Sequence, residues 1–397
     1  MEQQRYRLST PPKGFYSSEF EAVARAFRRN FEKGLEREGA HLTIIRNGKV
    51  VMNLWNGYSD SDSYRQWDTS TRTVLFSITK AVAALCLAMQ VDRGRLSYDE
   101  QVVKYWPEYG QYGKHITTIE DVLTHKAGLP YLENITMADV VSERMMRILE
   151  EAKPVWKPGT ATGYHALTFG WLLDGIFRNV DEKGRDMKTF LREEIAHKYG
   201  IDVSIGLDKE KFHSLARMTQ PGLLEFGRDL LIDPRMFFML AIFGTLSDSI
   251  VAKIRTSWLP LNFDTVPLND PNVAELNVVA MTGISDAYNL AKLFSLAIDG
   301  TLLSNQTLAL LTQPTLENWH IERIILYPFV KGRGFFFEKH PINKRSYLFG
   351  HPGYGCQALD VDIENKIVVV YLSNGFKTGT GIMCATYQSI LRSLYRT

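Results

Sequence analysis

Residues 77–97 read SITKAVAALCLAMQVDRGRLS and follow directly on Phe76. Small and apolar side chains fill almost every position from Ile78 to Val91, and Gly94 follows. That pattern predicts a long buried helix over Ser77–Arg93, ended at Gly94. Ser77 and Lys80 stand three apart at its start, which puts both side chains on one face. A lysine buried beside a serine hydroxyl has a depressed amine pKa, so Lys80 can act as a general base for Ser77. The helix N-terminus also turns the Ser77 N–H toward any oxyanion that develops there. This is the sole Ser-x-x-Lys of the chain, but ordinary residue usage supplies about one such match by chance at this length. On the motif alone, a capping serine with a lysine reaching for solvent is an equal reading.

Two further stretches add chemistry. Gly159-Thr160-Ala161-Thr162-Gly163-Tyr164-His165 follows Trp156-Lys157-Pro158 in a loop and precedes an apolar helix expected over Leu167–Asn179. A tyrosine at such a junction can point into a cleft, and its phenol, with a pKa near 10, can pass a proton if cations lower that value. Phe349-Gly350-His351-Pro352-Gly353-Tyr354-Gly355 lies between two strand candidates. Glycines there let the backbone approach a ligand closely, and the Tyr354 N–H can serve as a second oxyanion donor opposite Ser77. Taken singly, a packing tyrosine and an ordinary Gly-Pro turn explain these two stretches better.

The rest of the chain sets the architecture. Phe20–Glu38 carries apolar residues at helical spacing. Two β-rich runs then flank Asn47-Gly48, a strong hairpin signal. The middle is mostly helical in pattern: a capping box at Thr118 and Asp121, a helix over Asp186–His197, and a periodic run over Ser285–Asp299. Four strand candidates follow (GRGFFFEK, RSYLFGHPG, CQALDVDI and KIVVVYLSNG), and a helix over Ile382–Tyr395 closes the chain. The order predicts an α+β fold. Residues 1–98 and 330–397 would form an antiparallel sheet domain flanked by helices, and 99–329 an inserted helical lobe, with the site in the cleft between.

Composition narrows the function. The 397 residues are 45% hydrophobic and carry a net charge of +2, enough for a large core and no signature of nucleic acid as a partner. The three cysteines, Cys86, Cys356 and Cys384, lie far apart without metal spacing. They read as reduced thiols in a reducing compartment. The N-terminus lacks the apolar stretch of a secretory signal. Cytoplasmic residence is the expectation, with a mitochondrial address as the alternative. The apolar run Met236–Leu246 is too short to span a bilayer and reads as a buried helix or a pocket wall. There is no Gly-x-Ser-x-Gly elbow, no His-Glu-x-x-His and no phosphate-cradling glycine loop. No metal or other cofactor is expected, and an oligomer is left open.

Together the three motifs resemble the serine β-lactamase-related family: class C β-lactamases, D-Ala-D-Ala carboxypeptidases and family VIII carboxylesterases. Phe76–Lys80 is similar to the nucleophile motif and Tyr164-His165-Ala166 to the tyrosine motif. His351-Pro352-Gly353 falls where β-lactamases carry Lys-Thr-Gly and related esterases carry His-x-Gly. Leu96–Glu100, IEDVLTHKAGLP over 119–130 and Gly283–Ala287 also match. The resemblance runs from about Gly39 to the C-terminus and is closest in texture to animal β-lactamase-domain proteins and the esterase-like branch. It implies a serine hydrolase. Ser77 is then the acylated nucleophile, and Lys80 and Tyr164 are its proton relay. His351 contacts the Tyr164 hydroxyl or the substrate, and the Ser77 and Tyr354 N–H groups, beside Gly353, form the oxyanion hole. Ala166 in place of the β-lactamase Asn, and His351 in place of Lys, favour neutral esters or small amides over β-lactams. Arg235–Leu246 and Trp258 are candidates for an acyl pocket, or plain core. A non-catalytic, filament-forming scaffold and a β-lactamase or peptidase are the competing readings.

Overall fold

The computed structural model describes residues 11–140, 142–233, 235, 266–317, 320, 322–325 and 327–396. The apolar run at 236–246 and Trp258 lie outside them.

The hairpin at Asn47-Gly48 starts the main sheet. Both residues have positive φ, 51° and 73°, the backbone that a two-residue turn between right-twisted strands requires. The turn joins β2 (Gly39–Arg46) to β3 (Lys49–Asp60), with β1 (Lys13–Tyr16) added outside β3 and β4 (Arg65–Gln66) pairing its far end. The four C-terminal strand candidates form β9 (Phe335–Lys339), β10 (Tyr347–Pro352), β11 (Ala358–Asp362) and β12 (Ile367–Ser373), after a short β8 (Val330–Gly332). β12 pairs antiparallel with β2, Val370 opposite Thr43, so the two ends of the chain close one sheet in the order β1-β3-β2-β12-β11-β10-β9-β8. A small second sheet joins β5 (Thr73–Val74), β7 (Gly283–Ser285) and β6 (Val203–Ile205) in the order β5-β7-β6.

Strand alternation gives the sheet two apolar faces. On one, Leu42, Ile44, Val369 and Tyr371 pack with α1 (Glu21–Glu32) and the C-terminal helix, residues 385–394. On the other, Val361, Val368 and Val370 join the large core around α2 (Ile78–Asp92) and α5 (Thr168–Val180). The helix over 287–298, capped by the Asp286 side chain, packs on β2 and β12, although its sequence position falls in the stretch expected to form the inserted lobe. α1 is shorter than its periodicity predicts. Gly34 takes a positive φ, and the Leu35 and Glu36 amides turn back to the Asn30 carbonyl. The helix over 187–199 contains one π-helical stretch, Leu191–Ala196. Among the described residues no helix is long and apolar enough to cross a membrane.

One expectation is overturned. Cys356 and Cys384 form a disulfide, with Cα atoms 5.9 Å apart, while Cys86 stays a buried thiol. The two cysteines are 28 positions apart, and the stretch between them includes β11 and β12, a hairpin that doubles back and returns the start of the last helix to the turn after β10. Sequence distance concealed that return. Disulfides persist in oxidising surroundings, so the pairing also weighs against the expected reducing compartment.

Alkylation of the denatured, unreduced protein should therefore modify one cysteine, and reduction should expose all three. Modification of three without reductant would refute the pairing. Cys384→Ser should lower stability in urea by about 3 kcal/mol, the loop-closure contribution for a loop of this size.

Candidate active site

Three segments converge on the start of α2. Phe76, fully buried, has φ 47°, a left-handed backbone that costs a non-glycine residue about 1–3 kcal/mol. Its ring is held between those of Tyr354, at 5.6 Å, and Phe376, at 5.3 Å. The bend turns the chain abruptly from β5 into α2 and leaves Ser77 at the helix start. Ser77 makes no side-chain cap hydrogen bond, so the capping reading of this serine fails. Its hydroxyl is engaged elsewhere: the Tyr164 phenol lies 2.8 Å from Ser77 Oγ and Lys80 Nζ lies 3.3 Å from it.

Lys80 is completely buried. Its amine donates to the backbone carbonyls of Ala166, at 2.8 Å, and Ala280, at 3.0 Å. Those two bonds use two of the tetrahedral positions on nitrogen and aim a third at Ser77 Oγ. That position holds a proton in the ammonium and a lone pair in the amine. Burial lowers the Lys80 pKa to about 7, as the apolar flanks of the motif predict. Glycines bring the carbonyls close: a Cβ on Gly170 would meet Ala280 N at 2.3 Å, and one on Gly283 would meet Thr79 Oγ1 at 2.5 Å.

Burial raises the Tyr164 phenol pKa, and the hydrogen bond with Ser77 offsets only part of that rise, so the condition that cations lower the value is not met. The neutral phenol is a donor to Ser77. The backbone of Tyr164 is fixed by Glu322, whose carboxylate accepts the Tyr164 N–H and those of Ile324, at 2.8 Å, and Ile325. Lys331 lies 3.8 Å from Glu322 and donates to Thr162 Oγ1 at 3.3 Å. Both side chains of this ion pair are fully buried, and burial draws Lys331 down to about 8. His125 packs on the Tyr164 ring at 4.8 Å, and its Nδ1 accepts the His165 N–H at 3.1 Å.

His351 is buried at the end of β10, its ring 6.3 Å from that of Tyr164. No hydrogen bond joins it to the Tyr164 hydroxyl among the described residues, which leaves the substrate side of its two expected contacts. Nδ1 sits 2.7 Å from the Pro352 carbonyl, and Nε2 has no partner among the described residues. Since a carbonyl only accepts, Nδ1 carries the proton and Nε2 presents a lone pair. Burial, then the field of Lys80, holds His351 near 3, neutral at any ordinary pH. Gly353 closes the site: a Cβ there would meet the Leu75 carbonyl at 2.8 Å and Gln357 Cβ at 2.6 Å. This close approach sets the turn bearing Tyr354 against the turn bearing Ser77. The backbone hydrogen bonds of the described residues engage neither the Ser77 nor the Tyr354 N–H.

The sequence reading thus names residues that meet in space, and it misses the Glu322–Lys331 pair and His125. His125 sits inside the matching stretch 119–130. Glu322 and Lys331 carry no local signal, because each looks like an ordinary charged loop residue.

A family model described as Beta-lactamase matches residues 27–390. The chain is 36% identical over 186 residues to the protein named Esterase/beta-lactamase LipL of Mycobacterium tuberculosis, across 46% of this chain and 42% of that protein. It is 29% identical over 154 residues to Protein flp of Staphylococcus aureus, across 36% and 30%. The matched stretches span less than half the length of either relative. Among solved structures, a penicillin-binding protein homolog from Caulobacter crescentus is 27% identical with a TM-score of 0.78, covering 98% of this chain and all of its own. A family VIII carboxylesterase is 25% identical with a TM-score of 0.83 at the same coverage.

Glu322→Gln should destabilise the protein by about 3–5 kcal/mol, because it leaves the Lys331 ammonium buried without a counter-charge. Glu322→Gln with Lys331→Met should recover part of that loss in urea denaturation. Equal losses in the single and double variants would show that the two side chains do not act as a pair.

Proposed function

The chain belongs to the β-lactamase family, and from that premise we propose that it is a serine hydrolase that forms an acyl-enzyme on Ser77 and cleaves small carboxylic esters or amides. The contact of Ser77 Oγ with both Lys80 Nζ and the Tyr164 phenol carries the reading. As the amine, Lys80 takes the Ser77 proton while Oγ bonds to the substrate carbonyl carbon. The carbonyl oxygen, now negative, accepts from the Ser77 and Tyr354 N–H groups. Collapse reforms the carbonyl and breaks the bond to the leaving group. Tyr164 protonates that group and regains its proton from the Lys80 ammonium. Water then attacks the ester on Ser77, loses its proton to Lys80, and returns Ser77 as a hydroxyl.

The charge balance supports neutral substrates over β-lactams. A β-lactam carboxylate needs a cation beside the nucleophile. Lys80 is half discharged near pH 7, His351 is neutral, and Lys331 is already paired with Glu322.

Ser77→Ala should reduce turnover of a short-chain p-nitrophenyl ester by about 10³-fold or more and abolish labelling by a fluorophosphonate probe. Equal turnover by the variant would end the claim for Ser77. Nitrocefin should be cleaved far more slowly than the ester. The base form of Lys80 is the amine, which prevails above its pKa. The value of kcat/KM should therefore rise with pH as a single ionisation near 7. A flat profile between pH 5.5 and 8.5 would exclude Lys80 as the base.

A further inference from the structure

Beside His351 lies a cavity of about 20 Å³ that the chemistry above does not use. Its apolar wall is Phe329, Phe336 and Met383, and its polar lining includes Glu338 and Asp360. It is one ring away from the reacting groups. Phe336 stacks on His351 at 4.6 Å and meets Tyr164 at 6.0 Å.

The polar side chains around this space are acceptors. His351 is 2% exposed and its Nε2 is a bare lone pair without a partner. Tyr387 donates to Asp360 Oδ2 at 2.6 Å, and the hydrogen bonds of the described residues leave Oδ1 and both Glu338 oxygens unused. Thr380 also lines the cavity, and its hydroxyl proton goes to the Gly353 carbonyl at 3.3 Å. Among the described residues no side-chain cation lines the space. Arg235 is close enough to Glu338 to favour its ionised form, but that guanidinium is clasped by Asp233 through Nε, at 2.9 Å, and Nη2, at 2.5 Å. The buried His351 Nε2 without a donor is costly, and the half-buried carboxylates of Glu338 and Asp360 around one cavity repel. Burial and this mutual repulsion raise Glu338 to about 7, and burial raises Asp360 to about 6. A cation of the right size would relieve both costs. The space is the size of one water molecule, and so of one ammonium head.

We propose that this cavity receives a primary ammonium group of the substrate, held by Glu338, Asp360 and His351 Nε2, so that the enzyme prefers amino-bearing esters or amides over their unsubstituted analogues. The inference rests on the hydrolase reading and deepens it.

The test compares p-nitrophenyl esters of ω-amino acids of three to six carbons with the esters of the same unsubstituted acids. Wild type should favour at least one amino ester by about tenfold or more in kcat/KM, the scale of charge-assisted hydrogen bonds. In Glu338→Gln and Asp360→Asn that ratio should fall toward one, with folding checked by circular dichroism. A ratio near one in wild type, or a preference that survives both substitutions, overturns the proposal. Turnover of neither series would instead overturn the hydrolase reading. Calorimetric titration with n-butylammonium chloride then decides the cavity alone: binding by wild type that Glu338→Gln abolishes upholds the ammonium site, and no binding rejects it.

Discussion

The Lys80 amine is the point on which the site depends. Its two carbonyl partners, Ala166 and Ala280, lie 86 and 200 residues away in sequence. Each belongs to a segment with its own reason for being there: Ala166 to the loop entering α5, Ala280 to the turn entering β7. The two hydrogen bonds fix where the third position on nitrogen points, and that direction is toward Ser77 Oγ, the contact on which the proposed acylation rests. A lysine that snorkelled to solvent would keep a full charge and face nothing. Burial both positions this amine and discharges it.

The same desolvation makes a site of neutral groups. Lys80 and His351 are drawn down and Tyr164 is pushed up. The fixed charges stand one layer back, in the Glu322–Lys331 pair that holds the backbone of Tyr164. In the proposed reaction, charge would therefore arise in surroundings with little to screen it, where the Ser77 and Tyr354 N–H groups would count for most. This layering also separates positioning from chemistry: Glu322 orients Tyr164 through the main chain.

Much of this was legible in the sequence. The Asn47-Gly48 turn, the α2 helix with Gly94 after it, the Thr118–Asp121 capping box and the four C-terminal strands are local signals, and each appears in the fold. So was the convergence of Ser77, Lys80 and Tyr164, through motifs that are weak singly and specific in combination. The disulfide was not legible, because strands β11 and β12 cancel a separation that looks large on paper. Neither was the Glu322–Lys331 pair, since burial of a charge is a tertiary property with no periodic trace. The upward shift of the Tyr164 phenol was not legible for a related reason: a sequence displays cations but not desolvation.

The turn at Phe76, facing the turn at Tyr354, illustrates how strain can be held in place. Phe76 adopts a costly left-handed backbone, and within the Ser-x-x-Lys motif Thr79 donates its N–H and its hydroxyl to the Phe76 carbonyl. Further compensation comes from the opposite turn. Tyr354 and Phe376 grip the Phe76 ring, and Gly353 lets its own backbone press on the Leu75 carbonyl. The Cys356–Cys384 bond anchors that turn to the last helix. The two N–H groups are thus set by one packed unit drawn from both ends of the chain. If either turn moved alone, the aromatic grip would be lost and Phe76 could relax to an ordinary backbone. The closed sheet, in which β12 joins β2, keeps the two turns in register, and so the fold as a whole maintains the strain that presents Ser77.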